Sequence, residues 1–364
     1  MQILRAIWQR VLGTFRLIWR WLLRLALLAA VLILGLLAPV AYTEIACRAP
    51  LAPSSYQPQI SDPAWQRPEA RTLTTYPEWH IVYAYEDYAK VIASKDPHSF
   101  SYLAAIKGFW TSLCPLAKLA GNHGGFDSTS KMTIYTIGVS FTAELLLKAT
   151  YEETLGRIAT WARGPQKAHL DQVSAEQAAN YAEFLHQTPW YLWDFDKDKA
   201  ELNAKASGSW RDLERRLALG VEYGAKAAYA WAIAGAVAAT GNDQLRMQSI
   251  VKGLPPSWFD AEPEVQVIET RGSDLLIETP RYAAFTALAQ RIAAAGGDFA
   301  EIAGNDEILI SMLAPTSDPA MLHSAPRQGF DDWRQLALLP VSDLAGALRA
   351  LSSGPRRLEH IYDY

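Results

Sequence analysis

The chain has 364 residues, of which 50% are hydrophobic and 20% are charged, and its formal net charge is −4. This composition is typical of a globular protein and excludes the disordered and fibrous classes. No run of lysine and arginine lies outside the N-terminus, which argues against a nucleic-acid partner because such binding requires clustered cations.

Residues 1–22 predict a cationic amphipathic helix. The early arginines fall within one arc of the helical projection, and the apolar side chains occupy the opposite side. These arginines are Arg5, Arg10, Arg16, Arg20 and Arg24. We expect the segment to lie on an anionic lipid leaflet. A long signal-peptide n-region is the alternative.

Residues 23–43 predict a transmembrane signal anchor. They include an uncharged run from Leu25 to Tyr42, long enough to cross the hydrocarbon core together with the residues before it. All the arginines precede this run, so the positive-inside rule predicts a single-pass bacterial inner-membrane protein with a cytoplasmic N-terminus and a periplasmic bulk. Cleavage is the less favoured alternative because no A-x-A site follows. The expected lipid contacts are made by residues 1–43.

Residues 44–77 contain six prolines and predict an extended tether or a strap over the domain surface, because prolines this dense are excluded from helix interiors and central strands. The chain's two cysteines, Cys47 and Cys114, are permitted to form a disulfide in an oxidising periplasm. Two unrelated buried thiols are the equal alternative.

Residues 78–254 predict a helical domain. Helical spacing covers residues 86–94 and 102–119, the second interrupted by Pro115. Residues 132–147 are apolar except for Glu144, which favours a fully buried core helix, and a second membrane span is the alternative.

Two further helices are predicted by their capping residues. A helix from Ser174 to about residue 187 would start with an S-x-x-Q capping box. A long helix over residues 210–240 would follow Ser209 and end at Gly241 and Asn242.

Residues 255–364 predict a small ββαββ antiparallel-sheet domain. Strand-like runs at 265–269 and 275–278 flank a hairpin signal, and a helix is expected after Pro280. A second strand pair around Gly304 and a late helix complete the unit, with the C-terminal tail as an edge strand. The predicted fold class is therefore α+β, and the sequence shows no internal repeat.

The candidate site residues are carboxylates and imidazoles near aromatic or apolar segments; they are Glu144, Glu183, His186, Glu78 and His80. The Glu183-x-x-His186 spacing is that of a di-iron ligand pair, but such sites need a second copy. Glu78 and His80 could perform acid–base chemistry, although an aromatic core with a hydrogen-bonded histidine is the more ordinary interpretation.

Two other hypotheses concern single residues. Glu144 needs a partner, and Lys148 is the nearest by helical spacing. His123 and Asp127 flank a glycine-rich loop and could bind a cation with poor specificity. We expect no cofactor and no resident metal.

Ten of the 13 tryptophans lie beyond the apolar run. We interpret them as core residues, with a lipid- or glycan-facing platform as the alternative.

These patterns favour a membrane-anchored periplasmic protein with a binding or envelope-structural role and a protein partner in the envelope. The alternative is a membrane-tethered enzyme or lipid-binding protein with a pocket near Glu144, Tyr151 and Glu183. The sequence alone does not decide whether the protein is an enzyme.

Overall fold

The computed structural model describes the backbone of residues 2–240 and 245–363 and the side chains of residues 19–70, 72–235 and 245–363. It divides the chain into two compact units, Met1–Cys47 and Arg48–Tyr364. The sequence-predicted end of the long helix at Gly241 and Asn242 lies outside the described residues.

The first unit is a single helix, α1 (Gln2–Ala46), which continues without interruption from the amphipathic segment into the apolar one. Within its part from Trp19 to Ala46, an 18-residue stretch has a mean hydropathy of 2.5, and none of that stretch is buried. Among the described residues, α1 is the one helix long and apolar enough to cross a membrane. The expected N-terminal apolar helix, long enough to span a membrane, is therefore present, and it extends three residues past the predicted end at 43.

The second unit begins with a helical region. Its helices are α2 (Arg71–Ser94), α3 (Tyr102–Ala120), α4 (Ser128–Tyr151), α5 (Arg157–Arg163), α6 (His169–Leu185), α7 (Phe195–Lys205) and α8 (Trp210–Thr240). Helix α2 is central, because it packs against α3, α4 and α6. Only one side of α4 is buried, and Met132 and Leu147 are at least 70% exposed, so the prediction of a fully buried helix at 132–147 was wrong.

A π-helical turn, Glu152–Gly156, connects α4 to α5. The Glu152 carboxylate is buried and accepts a hydrogen bond from Arg215 of α8 at 2.7 Å. On the same helix, Arg211 donates to Asp171 of α6 at 2.9 Å. Both guanidinium groups are fully buried, so their carboxylate partners are required to keep the desolvated charges stable.

Eight strands and two helices follow. The strands are β1 (Arg246–Lys252), β2 (Gln266–Arg271), β3 (Asp274–Pro280), β4 (Asp298–Ile302), β5 (Glu307–Ala314), β6 (His323–Pro326), β7 (Trp333–Pro340) and β8 (Arg357–Tyr362), and the helices are α9 (Tyr282–Ala294) and α10 (Val341–Ser353). They form two antiparallel sheets, sheet A with the order β2-β3-β1-β4 and sheet B with the order β6-β7-β5-β8. The α+β class is thus confirmed, and the described residues contain eight strands where four and an edge tail were expected.

The two sheets repeat one topology. In sheet A, β3 and β4 both pair antiparallel with β1, so they run parallel to each other and α9 connects them. In sheet B, β7 and β8 stand in the same relation to β5, with α10 as the connection. In each half, the edge strand β2 or β6 forms a hairpin with the strand that follows it in the chain. That following strand, the crossover helix and the last strand form a split βαβ unit, because the first strand of the half pairs between its two parallel strands. The predicted second strand pair around Gly304 does not form a hairpin, because β4 and β5 belong to different sheets.

Both halves share one core. Phe285 and Ile292 of α9, Leu344 and Leu348 of α10, and Ile277 of sheet A belong to the same buried cluster, which also includes β5 and β8 side chains. Helix α10 packs against β4, and α9 packs against β8. Each crossover helix thus covers a strand of the other half, so the halves depend on each other for burial of apolar surface.

The remaining face of each sheet has a different cover. Leu309, Leu336 and Tyr362 of sheet B pack against Tyr76 and Tyr83 of α2. The helical region and sheet B therefore share a core, and the predicted division at residue 254 is not a boundary between separate compact units.

The face of sheet A is covered by an extended strap, residues 47–70. Ile60 of the strap is buried against Ile250 and Leu276. The buried Glu301 carboxylate accepts hydrogen bonds from the Ile60 amide at 2.8 Å and from the Tyr56 hydroxyl at 2.5 Å. Of the two predicted forms, the segment is therefore a strap bound to the surface of the sheet, and it ends at residue 70, where α2 follows.

Prolines and one serine depart from their predicted roles. Pro77 lies inside α2 and Pro115 inside α3, and both helices continue through them. A proline removes one helical hydrogen bond, and the buried face of each helix compensates for that loss. Ser174 is inside α6 rather than at its start, and its hydroxyl donates to the carbonyl of Asp171. Pro280 is the last residue of β3, and α9 starts at Tyr282.

Candidate functional site

Glu144, the carboxylate in the apolar helix, has two partners on other helices. The Tyr85 hydroxyl of α2 donates to its Oε1 atom at 2.6 Å, and the Lys226 ammonium of α8 lies 2.9 Å from the same oxygen. Lys148, the partner expected from helical spacing, instead pairs with Glu222 at 3.1 Å. The Glu144 side chain is 32% exposed, so it is not the isolated buried charge that its sequence environment indicated.

These residues form a balanced group of four charges between α4 and α8, named here the Glu–Lys cluster: Glu144, Lys148, Glu222 and Lys226. Glu222 contacts both lysines. Burial alone would raise the pKa of Glu222, but Lys148 and Lys226 outweigh it and hold the pKa at about 2. The pKa of Lys148 is raised, because Glu222 outweighs the effect of burial. Each charged group stabilises the charged form of the groups that it contacts, as expected for a structural ion-pair network.

A cavity of about 30 Å³ lies beside the cluster. It is lined by the rings of Tyr85, Tyr88, Tyr181 and Tyr223, together with Lys226 and other residues of the cluster. This space is sufficient for one or two water molecules and far smaller than a typical ligand pocket. Tyr151, proposed to line the pocket, is instead hydrogen-bonded to Glu214.

Glu183 and His186 lie at the end of α6 and do not face a common site. Glu183 is exposed, whereas the His186 ring packs edge-on against Trp79, with 5.8 Å between ring centroids. The group of metal-ligating side chains found among the described residues does not include either of them. The structure therefore does not assemble the di-iron pattern that the spacing suggested.

Glu78 and His80 lie on different sides of α2. Glu78 is exposed, whereas the His80 Nε2 atom is 2.9 Å from the carbonyl oxygen of Ala105. The His80 ring packs edge-on against Phe109 and Phe141. Burial lowers the pKa of His80 to about 4, so this histidine is neutral at ordinary pH and serves the aromatic core.

The remaining sequence candidates have separate positions. Cys47 and Cys114 are both disulfide-bonded. Asp127 caps α4 by accepting hydrogen bonds from the backbone amides of Thr129 and Ser130. The Nε2 atom of His123 lies 3.0 Å from a carboxylate oxygen of Glu307.

Sequence reasoning missed an exposed apolar surface on α8, which we name the α8 face. Four of its members recur every three or four residues, and the fifth follows ten residues later on the same side of the helix. All five are uncharged; they are Trp210, Leu213, Leu217, Val221 and Trp231. Trp231 is 81% exposed and Val221 is 75% exposed. On the neighbouring helix α5, Trp161 is 85% exposed. The spacing was visible in the sequence, but it identifies an apolar stripe without telling whether another element covers it.

Comparison with known proteins finds no matching family model, no matching curated protein and no matching solved structure.

Proposed function

We propose that this chain is an extracytoplasmic binding protein, anchored in the bacterial inner membrane by α1, whose α8 face binds the surface of the bilayer. The observation that supports this function is the set of exposed tryptophans on α5 and α8. A water-exposed apolar stripe of this length is unusual for a soluble surface and indicates an interaction site.

The proposed orientation of the chain across the membrane rests on the distribution of charged residues around α1. Five arginines precede the apolar part of α1, and no lysine, aspartate or glutamate accompanies them within residues 1–43. The positive-inside rule then assigns the N-terminus to the cytoplasm and residues 48–364 to the periplasm.

The choice of a lipid surface as the binding partner rests on side-chain chemistry and on proximity. Tryptophan is the residue that prefers the polar–apolar boundary of a bilayer, because its ring is apolar and its indole N–H needs a polar partner. In the strap, the Ala52 amide donates a hydrogen bond to the carbonyl of Gly121, in the turn after α3, at 2.8 Å. Only five residues separate Ala52 from the end of α1 at Ala46, so the linker that leaves the bilayer is short.

Topology is tested with reporters fused after residue 70. A reporter that functions only in the periplasm should be active when it is fused at this position. A reporter that functions only in the cytoplasm should be inactive at the same position. The opposite pattern would overturn the orientation and with it the proposed location.

Lipid binding is tested with the full chain in vesicles that contain brominated lipids, which quench tryptophan emission at the interface. The Trp210→Phe/Trp231→Phe double variant should lose part of the quenched emission that the wild type shows. Trp258→Phe, a change at a partly buried tryptophan packed on the sheet core, is the matched control and should leave the quenched emission unchanged. Equal quenching in the wild type and the double variant would rule out the bilayer as the partner of the α8 face, and a concentration-dependent dimer would assign that face to a second copy.

The alternative function is an enzyme or lipid-binding protein with a pocket in the helical region, although the cavity beside the Glu–Lys cluster has room for only one or two water molecules. The Glu144→Gln variant distinguishes it. A folded variant with lost function in cells would place this second candidate first, whereas retained function would support a structural role for Glu144.

A further inference from the structure

Three separate segments bring a histidine and two carboxylates together. Glu69 is the second-last residue before α2, His123 ends the 3₁₀ turn after α3, and Glu307 is the first residue of β5. One ligand atom from each of the three side chains lies within 4.8 Å of the other two. All three residues belong to the compact unit Arg48–Tyr364.

The backbone around these residues is fixed by contacts between the same segments. The Arg67 amide donates to the Ala303 carbonyl at 2.9 Å, which holds the strap to the β4–β5 turn. The Gly124 amide donates to the Ala52 carbonyl at 2.7 Å, which holds the turn after α3 to the strap. The three side chains are therefore positioned by a formed backbone and are not free surface groups.

Two atoms of the group are buried and have no hydrogen-bond partner among the described residues, Oε1 of Glu69 and Nδ1 of His123. Buried polar atoms normally have a partner, so each such atom calls for a missing ligand or ion.

We propose that Glu69, His123 and Glu307 bind one divalent first-row transition-metal ion, with Zn²⁺ and Mn²⁺ as the matching ions. An imidazole nitrogen with carboxylate oxygens is a ligand set that both ions accept. Ligand atoms bound at about 2.1 Å from one ion are separated by at most about 4.2 Å. A small side-chain movement therefore brings all three ligand atoms within binding distance of one ion.

The ion would join the strap, the α3–α4 turn and the start of β5. Because an ion that binds only the folded chain stabilises it in proportion to the logarithm of ion concentration, the site predicts metal-dependent thermal stability. It is independent of the α8 face and of the cavity, so its test does not depend on the proposed function.

The experiment uses the untagged full chain in detergent, stripped of metal with a chelator and then titrated with Zn²⁺ or Mn²⁺ by calorimetry. We expect one ion per chain and a higher melting temperature with the preferred ion. The variants Glu69→Gln and His123→Gln should each weaken binding at least tenfold. Matched controls are Glu183→Gln and His169→Gln, which change exposed residues elsewhere and should bind as the wild type does.

Two results would overturn the proposal. One is the absence of stoichiometric binding of either ion by the folded wild type. The other is binding that both variants retain at full strength. If the variants fail to fold, X-ray absorption of the Zn²⁺-loaded wild type decides, because a shell with one imidazole and oxygen ligands supports the site and a shell without imidazole contradicts it.

Discussion

Replacing Glu222 by glutamine should destabilise the protein much more than replacing Glu144. Glu222 is 21% exposed and contacts Lys148 and Lys226, each at 3.1 Å. Its pKa is lowered from the ordinary 4.5 to about 2, which corresponds to about 3 kcal/mol of stability at neutral pH. Glu144 is about one-third exposed, so solvent screening limits its contribution to about 1 kcal/mol or less.

The lowered pKa of Glu222 also determines how the stability of the protein depends on pH. A carboxyl whose folded pKa is lowered contributes its full stability above its unfolded pKa and loses that contribution as the pH falls through its folded pKa. For Glu222 the window runs from about pH 4.5 down to about pH 2. The stability difference between the wild type and Glu222→Gln should therefore be greatest at pH 7 and should shrink across this window.

The assay is urea unfolding of the full chain in detergent at pH 7 and pH 3, followed by near-ultraviolet circular dichroism. Glu144→Gln is the matched control, because it makes the same chemical change within the same cluster. The structural interpretation of the cluster would be refuted if Glu222→Gln unfolded at the wild-type midpoint. A larger loss in Glu144→Gln than in Glu222→Gln would also refute it.

Two further predictions concern covalent structure and packing. In protein from an oxidising compartment, Cys47 and Cys114 should resist alkylation under denaturing conditions until a reductant is added, and free labelling without reductant would contradict the disulfide. Gly156→Ala should destabilise the protein by roughly 1–3 kcal/mol, because the added Cβ meets the buried Glu152 carboxylate. Gly220→Ala has open space around its Cβ and should stabilise α8 by about 0.5–1 kcal/mol; equal melting temperatures for the two variants would refute this distinction.

The sequence predicted those elements whose signals are local. The apolar run specified α1, the turn at Gly272 specified the β2–β3 hairpin, and the predicted late helix is present as α10. Strands β1, β6 and β7 were missed. Strand pairing depends on contacts between residues distant in sequence, as when Ile308 pairs with Leu339. The local alternation of apolar and polar residues does not indicate which strand is the partner.

The side-chain partners observed at the candidate sites differ from those that the sequence indicated, again because the true partners are distant in sequence. Helical spacing could offer only Lys148 as the partner of Glu144, whereas the observed partner Lys226 is on another helix. His123 was recognised, but its carboxylate neighbours Glu69 and Glu307 lie far away in the sequence. Residue types can therefore nominate a ligand, but the companion ligands are set by the tertiary fold.

The contact between α2 and β8 determines when folding can finish during synthesis. The Thr72 hydroxyl donates to the Tyr362 carbonyl, 290 residues later in the chain. At ordinary rates of translation, roughly 15–60 s pass between the synthesis of these two residues. Throughout that interval, the side of α2 that carries Tyr76 and Tyr83 lacks its final strand. The nascent chain therefore has a long period in which this aromatic surface is open to chaperones or to aggregation, and a stalled or truncated product would keep it open permanently.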